Sequence, residues 1–206
     1  MSLPPRRKST AWATDPEAFV VVYDACVLYP APLRDLLIRL GASGIVRARW
    51  SDTILNECFR NLGKQRPDLP PEALDRTRAL MTRAVADCLV TGFEPLLSDL
   101  VLPDPDDRHV LAAAIRCGAQ VIVTFNLKDF PRDKLTAFEV EAQHPDEFVL
   151  GLIDLAPAAV TKVVTEQAAS LKNPPRSVGE LLDVLLQQGL VQSVAKLRDL
   201  FGADGG

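Results

Sequence analysis

Four acids, Asp24, Glu57, Asp107 and Asp129, carry the chemistry this sequence can offer. Asp24 closes the apolar run Ala18-Phe19-Val20-Val21-Val22-Tyr23. A carboxylate there is costly to bury unless it is paired or holds a cation. Asp129 follows a second run, Gln120-Val121-Ile122-Val123-Thr124, with Asn126 between. Asp107 ends the acid-rich stretch Pro103-Asp104-Pro105-Asp106-Asp107, and Glu57 lies within DTILNECFRNL. Acids gathered in one place repel one another and cannot all stay ionised without a cation. Oxygen-only ligands suit Mg2+ or Mn2+. The reaction such a centre supports is phosphodiester hydrolysis, with a carboxylate to orient the attacking water.

Each acid also has a plainer reading. Asp24 can cap the turn that follows it. Asp104, Asp106 or Asp107 can cap the next helix, where the N-terminal dipole favours an acid. One cap needs one acid and three are present, so Asp106 is expected to cap and Asp107 to turn into the site. Glu57 is three residues after Ile54, at the edge of the face that Ile54 shares with Cys58. By itself it reads as a surface residue, and Asp129 by itself reads as a loop acid.

The elements that must position these groups follow from periodicity. The two apolar runs are strands buried on both faces, as in a parallel sheet, where functional groups gather past the carboxyl ends. A helix is expected over Leu33 to Leu40, ending at Gly41, and a weaker strand over Ile45 to Arg49. Ser51 is expected to cap the Glu57 helix. Pro71 opens a helix running to about Leu89. Gly92 to Leu102 is irregular, with room for a short strand. Arg108 to Cys117 is a helix stopped by Gly118. Phe125 to Asp133 is a loop, Phe138 to Ala142 is a last strand, and the rest is helical. Ser177 and Glu180 form a capping box there, and Leu190 to Phe201 is a final amphipathic helix. The expected fold is α/β: a three-layer α/β/α unit with a mainly parallel sheet over residues 17–145, a helical extension over 146–206, and a flexible leader over 1–16.

The 206 residues suit one α/β domain with an appendage, and an apolar fraction of 48% can bury a sizeable core. A net charge of −4 argues against a protein that coats duplexes, while a cation-binding acid cluster is itself acidic. Cys26, Cys58, Cys88 and Cys117 are widely spaced, without a CxxC pair, and read as small buried hydrophobes in a reducing compartment. With only His109 and His144 beside them, zinc ligation is disfavoured. No apolar stretch suits a signal peptide or a membrane span, so the expected location is the cytoplasm.

VVVYDACVLYP, SDTILNECFRNL, PDPDDRHVLAAAI and QVIVTFNLKDFP, in this order over about residues 19 to 150, resemble the PIN-domain family, and in particular VapC-like toxins of toxin–antitoxin pairs. The resemblance implies an endoribonuclease specific for single-stranded RNA, using Mg2+ or Mn2+, with a cognate antitoxin and a second copy in a homodimer as its partners. It assigns Asp24 and Asp107 as central metal ligands, Glu57 as the helix-borne acid and Asp129 as the fourth, with Asn126 beside it and Thr124 as a supporting hydroxyl. Cys26 stands where the family often has Ser, Thr or Asn. Arg60, Arg108, His109, Lys128 and Arg132 flank the motifs and are candidates for RNA phosphate contacts. Little aromatic interleaving is visible for stacking bases. The alternative is a PIN fold that binds RNA or protein without cutting, which would be expected to have lost acids. A phospho-acceptor switch needs a middle strand ending in Asp, and dinucleotide binding needs GxGxxG; neither is present.

Overall fold

The computed structural model describes residues 19–203. The leader expected over 1–16 lies outside them. Five strands, β1 (Val20–Tyr23), β2 (Arg47–Ser51), β3 (Leu89–Val90), β4 (Val121–Val123) and β5 (Glu141–Gln143), form one sheet in the order β3-β2-β1-β4-β5. Every pairing is parallel, with Val22 opposite Arg49 on one side and opposite Ile122 on the other. β1 and β4 are buried throughout, as strands covered on both faces must be.

The helices before the last strand are α1 (Ala25–Leu28), α2 (Ala31–Ala42), α3 (Asp52–Gln65), α4 (Pro71–Ala84), α5 (Arg108–Cys117) and α6 (Arg132–Leu135). After it come α7 (Pro145–Leu155), α8 (Pro157–Ser170), α9 (Val178–Gln187) and α10 (Val191–Ala203). The architecture is the expected three-layer α/β/α with C-terminal helices. α2 packs on the face that carries Ala48. At Gly41 the approach is so close that an added Cβ would sit 2.8 Å from the Cβ of Ala48, which only glycine avoids. Tyr23 stacks on Trp50 on the neighbouring strand and meets Phe148 of α7 edge-on, and its hydroxyl donates to the Leu37 carbonyl of α2. α5 lies across β1, β2, β3 and β4.

Several boundaries differ from the sequence reading. α4 ends at Ala84, and Val85 is already extended, so Leu89 belongs to β3 and not to a helix. A strand two residues long carries no period of its own to read. No strand forms between Gly92 and Leu102; a 3-10 turn at Glu94–Leu96 stands there. The last strand is Glu141–Gln143, because a 3-10 turn over Thr136–Phe138 and a left-handed Glu139 occupy the earlier positions. The loop after β4 contains a 3-10 turn at Leu127–Asp129 and then α6. α10 continues through Gly202 to Ala203 instead of fraying after Phe201.

The helices after β5 are built into the molecule. Asp146 is buried, and its two carboxylate oxygens accept the N–H groups of Gln192 (2.9 Å) and Ser193 (2.8 Å) at the start of α10. Its own carbonyl accepts the Ser193 hydroxyl. α2 begins without a side-chain cap from its own segment. Instead Gln188 Oε1 accepts the Leu33 N–H at 3.0 Å, and Gln167 donates to the Pro32 carbonyl at 2.9 Å. Ser177 and Glu180 form the expected capping box on α9.

Candidate active site

From β1 the chain builds outward to β2 and β3 on one side, then returns to lay β4 and β5 on the other. The direction reverses between β1 and β4, and the crevice past their carboxyl ends is where open parallel sheets bind ligands. Asp24 follows β1 and Thr124 follows β4, so both stand at that crevice. Ser51 closes β2 and accepts the Ile54 N–H, as expected, which starts α3 at the same edge. α5 also starts there, with Asp107 as its first flanking residue.

Asp24 is only 2% exposed, and every one of its hydrogen bonds is specified. Oδ1 accepts the Ala25 N–H at 2.6 Å, and Oδ2 accepts the Thr124 hydroxyl at 2.7 Å and the Cys26 thiol at 3.1 Å. One oxygen thus caps α1 while the other is held by the neighbouring strand, so both readings of this residue hold at once. Burial raises its pKa above the ordinary value, Glu57 raises it further, and the Thr124 and Cys26 donors pull it back.

The thiol of Cys26 stays protonated because burial, and then the Asp24 carboxylate, push its pKa up. It therefore serves as the donor that a hydroxyl or amide would supply at that position, and it also accepts the Phe125 N–H at 3.3 Å. Thr124 Oγ1 accepts the Asn126 N–H at 2.9 Å, which fixes the turn carrying Asn126 and Asp129. All four cysteines are free; Cys58 and Cys88 are buried as expected, while Cys26 and Cys117 are half-buried.

The expectation that Asp106 caps is corrected. Asp104 accepts the Asp106 N–H at 2.9 Å and caps the 3-10 turn Pro105–Asp107. That extra turn moves the capping position two residues earlier. Asp107 makes no side-chain capping bond. Its carboxyl is pushed up to about 7, first by desolvation, then by the charges of Asp24, Asp104, Asp129 and Glu57 in that order. The acids therefore feel one another as a group, and Asp104 is a member that the sequence reading had treated only as a cap. The acid density of Pro103 to Asp107 was the signal available for it.

Glu57 is partly exposed, and its Oε2 lies 3.3 Å from His109 Nε2, which is largely covered. His109 thus reaches from α5 to α3 and faces the acid group instead of solvent. Nδ1 of the same ring is buried and has no hydrogen-bond partner among the described residues. Arg108 is likewise occupied internally. Its Nε donates to the Pro105 carbonyl at 2.8 Å and one terminal nitrogen to the Leu97 carbonyl at 3.5 Å. Arg60, Lys128 and Arg132 are exposed.

Among the described residues, no three Asp, Glu, His or Cys side chains are set closely enough to hold a metal ion as they stand. The donor chemistry nevertheless fits a hard divalent cation. The candidate ligands would be carboxylates whose mutual repulsion a cation would relieve, and Mg2+ commonly keeps several waters and takes only one or two protein carboxylates. Beside Asp24 and Glu57 the surface opens into a cleft of about 350 Å³ between α1 and α3. Of the α3 residues that line it, Glu57, Asn61, Lys64 and Gln65 fall at i, i+4, i+7 and i+8, one stripe of a helix, with Cys58 beside Glu57. That spacing is visible in the sequence, but only the approach of α1 makes it a wall.

Among the described residues, no helix is long and apolar enough to cross a membrane. No solved structure matches the chain. The VapC50 C-terminal domain matches residues 145–199. A protein of Mycobacterium tuberculosis (strain ATCC 25618 / H37Rv), named "Putative ribonuclease VapC50", is 46% identical over 95 residues. That match covers 46% of this chain and 56% of the relative's length, so the chain spans little more than half of the curated protein it resembles. The model of the PIN domain matches residues 20–128, just over half of the chain, from β1 into the turn after β4 and ending one residue before Asp129. The chain therefore belongs to the PIN-domain family.

Proposed function

We propose that the chain is a divalent-cation-dependent endoribonuclease that hydrolyses phosphodiester bonds in single-stranded RNA, and that it is the toxin of a type II toxin–antitoxin pair. The observation that carries this reading is the convergence of Asp24, held by Thr124 at 2.7 Å past the ends of β1 and β4, with Glu57 of α3, which lies 3.3 Å from His109 two residues after Asp107. Asp24 and Asp107 are read as the principal ligands of Mg2+ or Mn2+, with Glu57 and Asp129 completing the acid set. Such an ion, when bound, lowers the pKa of a water and neutralises charge that builds on the phosphate.

The protein's own share is orientation. Thr124 and Cys26 hold Oδ2 of Asp24, and the Ala25 N–H holds Oδ1, so the carboxylate enters the reaction already aimed. His109 restrains Glu57, a side chain that would otherwise sweep solvent at the edge of its helix. A carboxylate so restrained can accept a proton from the attacking water. Residues 17–145 are read as the nuclease unit and 146–206 as its helical extension. The named relative supports RNA as substrate, and its VapC name supports an antitoxin partner. The homodimer and the cytoplasmic location rest on the family resemblance and on the unpaired cysteines.

The test is cleavage of single-stranded RNA by purified protein with Mn2+ or Mg2+. EDTA and Asp24→Asn should each abolish it. Cleavage unchanged by Asp24→Asn would assign the activity to a contaminant and overturn the reading. RNA bound but left intact by the wild-type chain would return the non-cleaving alternative.

A further inference from the structure

We infer that the cleft between α1 and α3 is the subsite for one nucleotide beside the scissile phosphate, and that Asn61 and Gln65 set which base it accepts. The inference rests on the proposed ribonuclease activity and adds where, and by what chemistry, the strand is read.

The cleft changes character along its length. At its inner end are Cys26, which is hydrogen-bonded to Asp24, and Glu57. One and two turns further along α3 the wall becomes Asn61, Lys64 and Gln65, and Asn126 closes the side nearest β4. A strand whose phosphate meets the acids through a cation therefore finds neutral amides next, and a cation after them. Phosphates are held mainly by charge, and unstacked RNA bases are read by hydrogen bonds along their edges and by aromatic faces. Each of those functions has a residue here: Lys64 for phosphate, Asn61, Gln65 and Asn126 for edges, Tyr29 for a face.

Tyr29 is held in place from two directions. Its hydroxyl donates to Gln65 Oε1 at 2.7 Å, and Arg34 donates to the Leu28 and Tyr29 carbonyls at 2.9 and 3.1 Å. The first bond uses the carbonyl oxygen of Gln65 and leaves its NH2 group as a donor. Asn61 lines the cleft with an amide that offers both a donor and an acceptor. A volume of about 350 Å³ lies at the lower end of the range of roughly 300–1,000 Å³ typical of small-ligand sites. That is the scale of one small ligand such as a single nucleotide. Tyr29 stands in the first of the motifs, and it is folding that brings it against α3.

The experiment uses the full chain and a pool of ribo-oligomers randomised in sequence. Cut ends are sequenced to give the base bias at each position around the cleavage point. The wild-type protein should show bias concentrated at one flanking position. Asn61→Ala and Gln65→Ala should flatten it by about tenfold, the scale of one well-made base contact. Lys64→Ala should raise KM for all sequences alike and reduce the salt dependence, without altering the bias. Lys162→Ala, at an exposed position of α8, is the control and should change neither. A wild-type protein with no positional bias, or Asn61 and Gln65 variants that keep it, would overturn the subsite while leaving the ribonuclease standing. A wild-type protein that with Mn2+ cuts neither the pool nor bis(p-nitrophenyl) phosphate, which has no base, would remove the ribonuclease reading, and the subsite with it.

Discussion

Replacing Thr124 by Val tests whether the held carboxylate of Asp24 is what the centre depends on. The two side chains have nearly the same shape, so packing at this fully buried position is kept. What is lost is a 2.7 Å hydrogen bond to Oδ2 of a carboxylate that is 2% exposed. Cys26 remains on that oxygen at 3.1 Å, but a thiol is a weak donor. The Asn126 N–H also loses its acceptor, yet Asn126 is exposed and water can replace it. A hydrogen bond to a charged group is worth about 1.5–3 kcal/mol. That energy favours the ionised form of Asp24, which is also the form a cation needs. Mn2+ affinity at fixed pH should therefore fall about ten- to a hundredfold, since each 1.4 kcal/mol is a factor of ten. In EDTA above neutral pH, urea unfolding should show a loss of about 1.5–3 kcal/mol at an unchanged m-value. The loss should shrink on acidification, because a protonated Asp24 offers only a neutral partner, worth about 0.5–1.5 kcal/mol. Calorimetric titration with Mn2+ and paired urea curves measure both quantities, and Thr124→Ser should restore them. Mn2+ binding by Thr124→Val as tight as by the wild type would refute the reasoning.

Three more outcomes follow from the same geometry. Asp107 has an ordinary pKa of 3.8 in the unfolded chain and about 7 in the folded one, so between these values the native state holds a proton that the unfolded state has released. Stability in EDTA should be greatest at the acid side of that window and fall as pH rises through 7, and saturating Mn2+ should flatten the decline; a urea midpoint in EDTA that climbs from pH 5 to 7 would contradict it. His109→Ala releases Glu57, and Mn2+ affinity together with kcat/KM should drop about tenfold, the lower end for partners that orient a metal ligand; unchanged values would leave His109 a packing residue only. Asp146→Ala strips the acceptor from two N–H groups of α10, one of them buried, and should cost about 2 kcal/mol, the upper end for a lost helix cap, in urea unfolding; a loss below 0.5 kcal/mol would show that water replaces it.

What the sequence reveals and what it hides divides along range. β1 and β4 are legible because strands buried on both faces must be apolar throughout, and their ends point to Asp24 and Thr124. Ser51 and Gly118 are legible because caps are local chemistry; Gly118 has φ 65°, a conformation glycine adopts without penalty. The choice between Asp104 and Asp106 failed because an inserted 3-10 turn leaves no trace in hydrophobic period. β3 was missed because its two residues take their identity from pairing with β2. Arg108 and His109 looked alike as basic neighbours of Asp107. One bonds backbone carbonyls and the other meets Glu57, a distinction that needs the position of α3. The bond between Asp146 and the start of α10 crosses more than forty positions and has no local signature.

The dependence of α2 on Gln188 and Gln167 has a practical consequence for anyone who would trim this protein to the part that matches the PIN domain. Cutting the chain after β5 would strand an amide proton and a carbonyl at the root of the helix that roofs the sheet, and bare the flank of Tyr23 now covered by Phe148. A shortened version would need those vacancies refilled by new side chains before it could serve as a scaffold. The two parts thus complete each other's hydrogen bonds and packing, whatever separate names their sequence matches carry.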